Sequence, residues 1–175
     1  MKVLYICFME LEQAKQQFIT LWGNFGTQWG INRSMAQVHA LLLSSSELRC
    51  TEDVMEALSI SRGNANMNLR ELMNWNLIYK DSIPGDRKEY FRAEKDMWEI
   101  AKRIVRERKR REIEPLMQHL EQLKNIEGEN SPEKKEFTKT IEDISGLVAK
   151  LDNATNKLIK ADENIFFGMI LKMFK

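Results

Sequence analysis

Histidine and cysteine are scarce: the 175 residues hold two of each, His39 and His119, Cys7 and Cys50. Neither pair has metal-ligand spacing, and no carboxylates gather beside them in a ligating pattern. A Gly-rich phosphate loop and a nucleophile motif are also missing. These absences argue against an enzyme and imply no cofactor. His39 falls in an apolar helical stretch and reads as a core or interface histidine with its hydrogen bonds satisfied. The cysteines read as reduced, buried or half-buried thiols of a cytoplasmic protein. Charge of one sign is lacking too. With 27 basic and 26 acidic residues the net charge is +1, so any footprint for a polyanion has to be local. No apolar run approaches the length of a membrane span. The opening MKVLYICF is too short for a signal peptide, has no cleavage region, and reads either as a strand-like or helical extension or as a start-site artefact ahead of Met9.

What is present favours helices. Hydrophobic residues make up 43% and charged residues 30%, with only three prolines and eight glycines. That composition suits a mainly helical protein with a real core, built as one domain plus an extension or as two small units. Residues 9–29 read as a helix with Leu11, Phe18, Trp22, Phe25 and Trp29 near one face. Gly30-Ile31-Asn32 breaks it, and Asn32 is placed to cap a second helix running through Leu43. Asp96 opens a long helix, with Glu99 completing an Asp-x-x-Glu capping box. Pro115 is expected to kink or divide that helix, whose apolar stripe continues through Leu116, Leu120 and Leu123 to about Gly128. Ser131-Pro132 caps a last helix. In it Phe137, Ile141, Ile144, Val148, Leu151, Thr155 and Leu158 follow the alternating four-three step of a heptad. The tail IFFGMILKMF is apolar on nearly every side.

The most informative stretch is Thr51–Phe91. Thr51 reads as a cap, with Glu52 and Asp53 in the first helical turn, where the dipole favours acids. Val54, Met55 and Leu58 form an apolar face, and Ser59-Ile60 makes a tight break. Ser61 restarts a helix in which Ala65, Leu69, Leu72 and Met73 step along the buried side until Asn76 ends it. Leu77-Ile78-Tyr79 and Tyr90-Phe91 read as strands around the Pro84-Gly85-Asp86 turn. Two short helices followed by a hairpin make the winged helix-turn-helix plan, which presents its second helix to the DNA major groove.

With Ala65, Leu69 and Leu72 set inward at 100° per residue, Gly63, Asn64, Met67, Arg70, Glu71 and Asn74 fall on the outer half of that helix. Arg62 and Asn66 lie on its flanks. Asparagine pairs with an adenine edge, and arginine with guanine or phosphate. Gly63 permits close backbone approach, and the helix start suits a phosphate. Asn64, Asn66 and Asn68 are poor helix formers, which argues that they are tolerated for hydrogen bonding. After the hairpin turn, Arg87 and Lys88 are placed to touch phosphate or the minor groove. From Ser59 to Arg92, six basic and four acidic residues leave a modest +2.

FGTQWGINRSMAQVHALLLSS, ISRGNANMNLRELMNWNLIYK and PGDRKEYFRAEKDMW, in that order, resemble the GbsR-like branch of the MarR-type transcriptional regulators over roughly residues 18–111. The resemblance implies a homodimer binding an inverted-repeat operator, often as a repressor. It places Ser61, Arg62, Gly63, Asn64, Asn66, Asn68 and Arg70 on the recognition helix and Arg87 and Lys88 on the wing. It implies a small-molecule effector of unknown identity. A quaternary amine needs an aromatic box, for which Trp22, Phe25, Trp29, Trp75, Tyr79 and Trp98 are the candidates. Aromatics at helical spacing are more often core, and Trp75 and Trp98 read as packing residues that lock the recognition helix to the dimer helices.

Residues 1–30 are thus expected to form an N-terminal dimerisation helix, 31–95 a winged helix-turn-helix domain, and 96–175 a helical dimerisation region. The long stripes pair either across a dimer or within a bundle, and the dimer is favoured. From Met97 to Arg111 seven basic residues stand against two acids. That run either reaches phosphates beside the wing or forms a solvated helix face with i,i+4 ion pairs. The competing functional reading is a winged-helix interaction module that binds no DNA and works through its heptad helix.

Overall fold

Asn32 Oδ1 accepts the backbone N–H groups of Ser34 and Met35 at 2.9 and 3.2 Å, and this cap starts the helix around which the first half of the chain is built. A computed structural model describes residues 9–126 and 131–161. The opening octapeptide, the stretch around Gly128 and the apolar tail lie outside the described residues. Among the described residues, seven α-helices and three short strands follow in the order α1 (Leu11–Gln28), α2 (Arg33–Ser44), β1 (Arg49–Cys50), α3 (Thr51–Leu58), α4 (Arg62–Asn74), β2 (Ile78–Asp81), β3 (Tyr90–Ala93), α5 (Met97–Arg108), α6 (Glu114–Leu123) and α7 (Pro132–Lys160). Contacts divide the chain between Asp96 and Met97 into two compact units.

In the first unit α2 is the central helix and touches α1, α3, α4 and β3. Its Met35, Ala36, Val38, Ala40, Leu41 and Leu42 are buried. The α1–α2 crossing is close because Gly26 has no side chain: a Cβ there would stand 2.6 Å from the Ala36 Cβ, inside van der Waals contact. Lys95 closes the other end of α2. Its Nζ donates to the carbonyls of Leu42, Leu43 and Ser45 at 3.1, 2.6 and 2.8 Å. A cation on the last carbonyls of a helix satisfies orphan acceptors and complements the dipole.

The sheet has strand order β1-β3-β2, antiparallel throughout. The hairpin was expected; the third strand was not, since two residues carry no period. Arg49 and Cys50 become a strand only because Phe91 and Tyr90 lie opposite. At the wing tip the Asp86 N–H donates to the Ile83 carbonyl at 3.0 Å and Gly85 has φ +85°, the type II geometry that Pro84-Gly85 favours.

In the second unit Pro115 does not divide the long helix. The chain widens into a π-helical turn over Lys109–Ile113 and continues as α6, a known way of absorbing a missing N–H. Ser131 Oγ accepts the Lys134 N–H at 3.1 Å and starts α7. Leu120, Ile141 and Val148 form a buried cluster with Ile113 packed against it. The heptad of α7 therefore splits. Ile141 and Val148 turn inward, while Phe137, Ile144 and Leu151 are exposed, with the off-heptad Leu147 beside them. No helix among the described residues is long and apolar enough to cross a membrane.

Candidate nucleic-acid interface

The helix-turn-helix is assembled from local chemistry. Cys50, not Thr51, is the N-cap of α3: its backbone N–H donates to Asp53 Oδ2 at 2.8 Å. Ser59, at φ 52°, ends α3, and the Ile60 N–H returns to the Met55 carbonyl at 3.1 Å. Ser61 Oγ then accepts the Asn64 N–H at 3.3 Å, and α4 begins. At the far end Asn76 takes φ 57°. The Asn76 N–H reaches the Met73 carbonyl at 2.8 Å and the Leu77 N–H the Leu72 carbonyl at 2.9 Å, a Schellman closure that turns the chain into β2.

Ala65, Leu69 and Leu72 are buried, as the helical wheel requires. Gly63, Met67, Arg70 and Asn74 are exposed and fall in one line at four- and three-residue steps. A Cβ on Gly63 would meet nothing within 4 Å, so the backbone there is open to approach. Arg62 is exposed but engaged: its guanidinium lies 2.8 Å from Glu52 Oε1, across the turn. Backbone hydrogen bonding at the α3 N-terminus, then the Cys50 side chain and the Arg62 guanidinium, hold the Glu52 carboxyl below the ordinary carboxylate range. Asn66 is half-buried, and its Oδ1 accepts from Thr51 Oγ1 at 3.4 Å.

Asn68 departs from the expectation. It is 2% exposed, and its amide donates to the Asn64 backbone carbonyl at 2.9 Å and to Asn64 Oδ1. The Asn68 position lies one turn from Ala65 and Leu72, on the inner arc, so it belongs to the packing of α4 and not to its outer face. Glu71 is half-buried, and its carboxylate accepts from Trp75 Nε1 at 3.1 Å and from Asn74 Nδ2 at 3.4 Å.

On the wing Arg87 and Lys88 are exposed. Asp86 holds the tip, accepting the Lys88 N–H at 2.9 Å and the Tyr90 hydroxyl at 2.7 Å. These bonds pull the Asp86 carboxyl below its usual range and push the Tyr90 phenol up to about 12. The other wing cations are paired: Lys80 with Glu89 at 2.5 Å and Arg92 with Asp81 at 2.7 Å, Arg92 also standing 4.6 Å above the Tyr79 ring.

Four further expectations meet the geometry. His39 is buried, but its Nε2 has no hydrogen-bond partner among the described residues, so it is a core histidine that is not satisfied. Burial, with the Lys95 charge as the smaller cause, lowers its pKa to about 4. Phe18, Trp22, Phe25 and Trp29 form a ladder along α1, with successive ring centroids 5.5, 6.2 and 5.5 Å apart; a ladder on one helix is not a box around a cation. Trp75 and Trp98 sit in different units, Trp98 Nε1 donating to the Ala161 carbonyl at 3.3 Å. In the basic run, Lys102 and Arg103 pair with Glu99, Arg108 with Glu112, and Arg110 and Arg111 with Glu107. Lys109 pairs with both Glu114 at 3.2 Å and Asp152 at 3.1 Å. The Glu52–Arg62, Thr51–Asn66 and Lys95–α2 contacts were missed in the sequence, where nothing marks partners ten or more residues apart.

No protein-family model matches this chain, and no curated protein matches it. Among solved structures, the crystal structure of a transcriptional regulator matches with a TM-score of 0.63 at 19% identity, over 83% of this chain and 95% of that one. At that identity the likeness speaks to fold: a mainly helical chain with a small antiparallel sheet, the winged helix-turn-helix plan.

Proposed function

We propose that this chain is a sequence-specific double-stranded DNA-binding transcriptional regulator, acting as a homodimeric repressor on an inverted-repeat operator. The observation that carries it is the exposed line Gly63–Met67–Arg70–Asn74 on α4, held by a capped helix-turn-helix and followed by a wing that carries Arg87 and Lys88 exposed at its tip. Two further facts support it: the matched crystal structure is that of a transcriptional regulator, and three sequence segments resemble the GbsR-like branch of the MarR-type regulators. Dimerisation runs through the stripes of α1 and α7 that are exposed in the single chain, among them Leu21, Phe25 and Trp29, and Ile144, Leu147 and Leu151. Two protomers then set their α4 helices in successive major grooves, roughly 34 Å apart. An effector that binds one spacing better shifts the population and releases or engages DNA.

The test is binding of the purified protein to its own upstream DNA across a salt series, beside Arg70→Ala and Lys88→Ala. Affinity should fall steeply with salt, and each variant should lower the salt slope by about 1 if it removes a phosphate contact. Losing a bidentate base contact should cost about 1–3 kcal/mol. No retained duplex at low salt, with or without extracts containing candidate effectors, overturns the reading in favour of an interaction module working through the exposed α7 stripe.

A further inference from the structure

We infer that Met67 selects sequence at this interface, through apolar contact of its side chain with the 5-methyl group of a thymine in the major groove; the inference rests on the DNA-binding reading above. A single exposed apolar residue is ordinary on a protein surface. What singles out Met67 is its place. It is 59% exposed and stands in the second turn of α4, between Gly63 and Arg70 on the outward line. The N-terminal half of such a helix is the part that meets base edges.

Apart from Arg70, the polar side chains expected to read those edges already hold a contact within the protein. Arg62 is paired with Glu52 across the turn. Asn64 Oδ1 accepts from the Asn68 amide, and Asn66 Oδ1 from the Thr51 hydroxyl. Ser61 Oγ accepts the Asn64 N–H. Their remaining donors and lone pairs still reach a base, but from side chains already tethered within the protein. Met67 holds no such tether. Gly63, one turn earlier, carries no side chain, and a Cβ there would meet nothing within 4 Å, so the helix surface is open on the N-terminal side of the thioether. Among the groups a base pair displays in the major groove, the thymine methyl is the apolar one, and a flexible, polarizable methionine adapts to such a contact.

The experiment begins with duplexes selected from a random-sequence library on the wild-type protein. The thymines of the selected duplex are replaced one at a time by deoxyuridine, which removes only the methyl group. Dissociation constants are measured at one salt concentration for wild type, Met67→Leu and Met67→Ala. At one thymine of each half-site, loss of the methyl should weaken the wild type about fourfold, the worth of one buried methyl group. Met67→Leu should keep that sensitivity and Met67→Ala should lose it. Salt-sensitive binding in which no thymine methyl matters, or in which it matters equally for Met67→Ala, overturns the role of Met67 and leaves DNA binding standing. Failure of any duplex to be retained at low salt overturns both.

Discussion

The Asn68 amide nitrogen donates to the Asn64 backbone carbonyl at 2.9 Å, one helical turn back, from a side chain sealed on the inner side of α4. The bond separates two roles that look alike in the sequence. Asn68→Ala should lower stability by about 1 kcal/mol, the usual net worth of a hydrogen bond, and leave base preference unaltered. Arg70→Ala, on the outward line, should do the reverse: an unchanged melting temperature and weaker DNA binding. Thermal unfolding and duplex titration of the two variants check both halves.

At the wing tip, the hydrogen bond from Tyr90 to Asp86 should be visible in ultraviolet titration. The difference between wild type and Tyr90→Phe should show one phenol ionising at about 12. A phenol titrating near 10 would mean that the tip is not held by this bond. Lys88→Ala, beside it, should weaken binding to all duplexes alike, because a phosphate contact carries no sequence information.

His39 makes stability depend on pH. Its ordinary pKa of 6.5 applies to the unfolded chain, and burial lowers it to about 4 in the folded one. Between those values the unfolded chain binds more protons, so stability rises with pH through this window and is lost as pH falls from 6.5 towards 4. The full loss is about 3 kcal/mol at 1.36 kcal/mol per unit. Chemical denaturation of wild type and His39→Phe from pH 4 to 7.5 measures it. The variant should lose most of the slope between pH 6.5 and 4.

Lys95 joins the end of the first unit to the end of α2. Lys95→Met keeps the aliphatic stem and removes the donor from the Leu42, Leu43 and Ser45 carbonyls. We expect a loss of about 1–2 kcal/mol, with amide exchange fastest in the last turn of α2. Protection unchanged there would show that water replaces the ammonium without cost.

The split heptad of α7 predicts two kinds of variant. Ile141→Ala and Val148→Ala, in the buried cluster, should cost about 2–4 kcal/mol in stability through lost packing. Ile144→Asp and Leu151→Asp, on the exposed stripe, should leave the fold intact and shift sedimentation from dimer to monomer. A wild-type chain that is monomeric at micromolar concentration removes the dimer from the proposed function.

Much of the local architecture was legible because cause and effect sit within four residues of each other. Asn32, Ser61 and Ser131 each cap a helix by accepting a backbone N–H two or three positions on, and a side chain followed by its own partner can be seen in a linear string. The Pro84-Gly85 turn is local in the same way. Cys50 displaced Thr51 as the α3 cap by one position, because the decisive group was the Asp53 carboxylate reaching back to the Cys50 N–H.

The sequence by itself determined the caps at Asn32, Ser61 and Ser131, the inward stripe of Ala65, Leu69 and Leu72, and the outward one through Gly63, Met67 and Arg70, since a 3.6-residue period assigns both faces of a helix at once. Only the tertiary structure decided which polar groups on α4 are occupied, that Arg49-Cys50 is a strand, that His39 Nε2 is buried with no hydrogen-bond partner among the described residues, and which half of the α7 heptad is buried. Those outcomes depend on neighbours brought together from distant parts of the chain, such as Glu52 beside Arg62, Phe91 beside Arg49, and Leu120 with Ile141. Folding settles them by desolvation, a property of position in space and not of position in the chain.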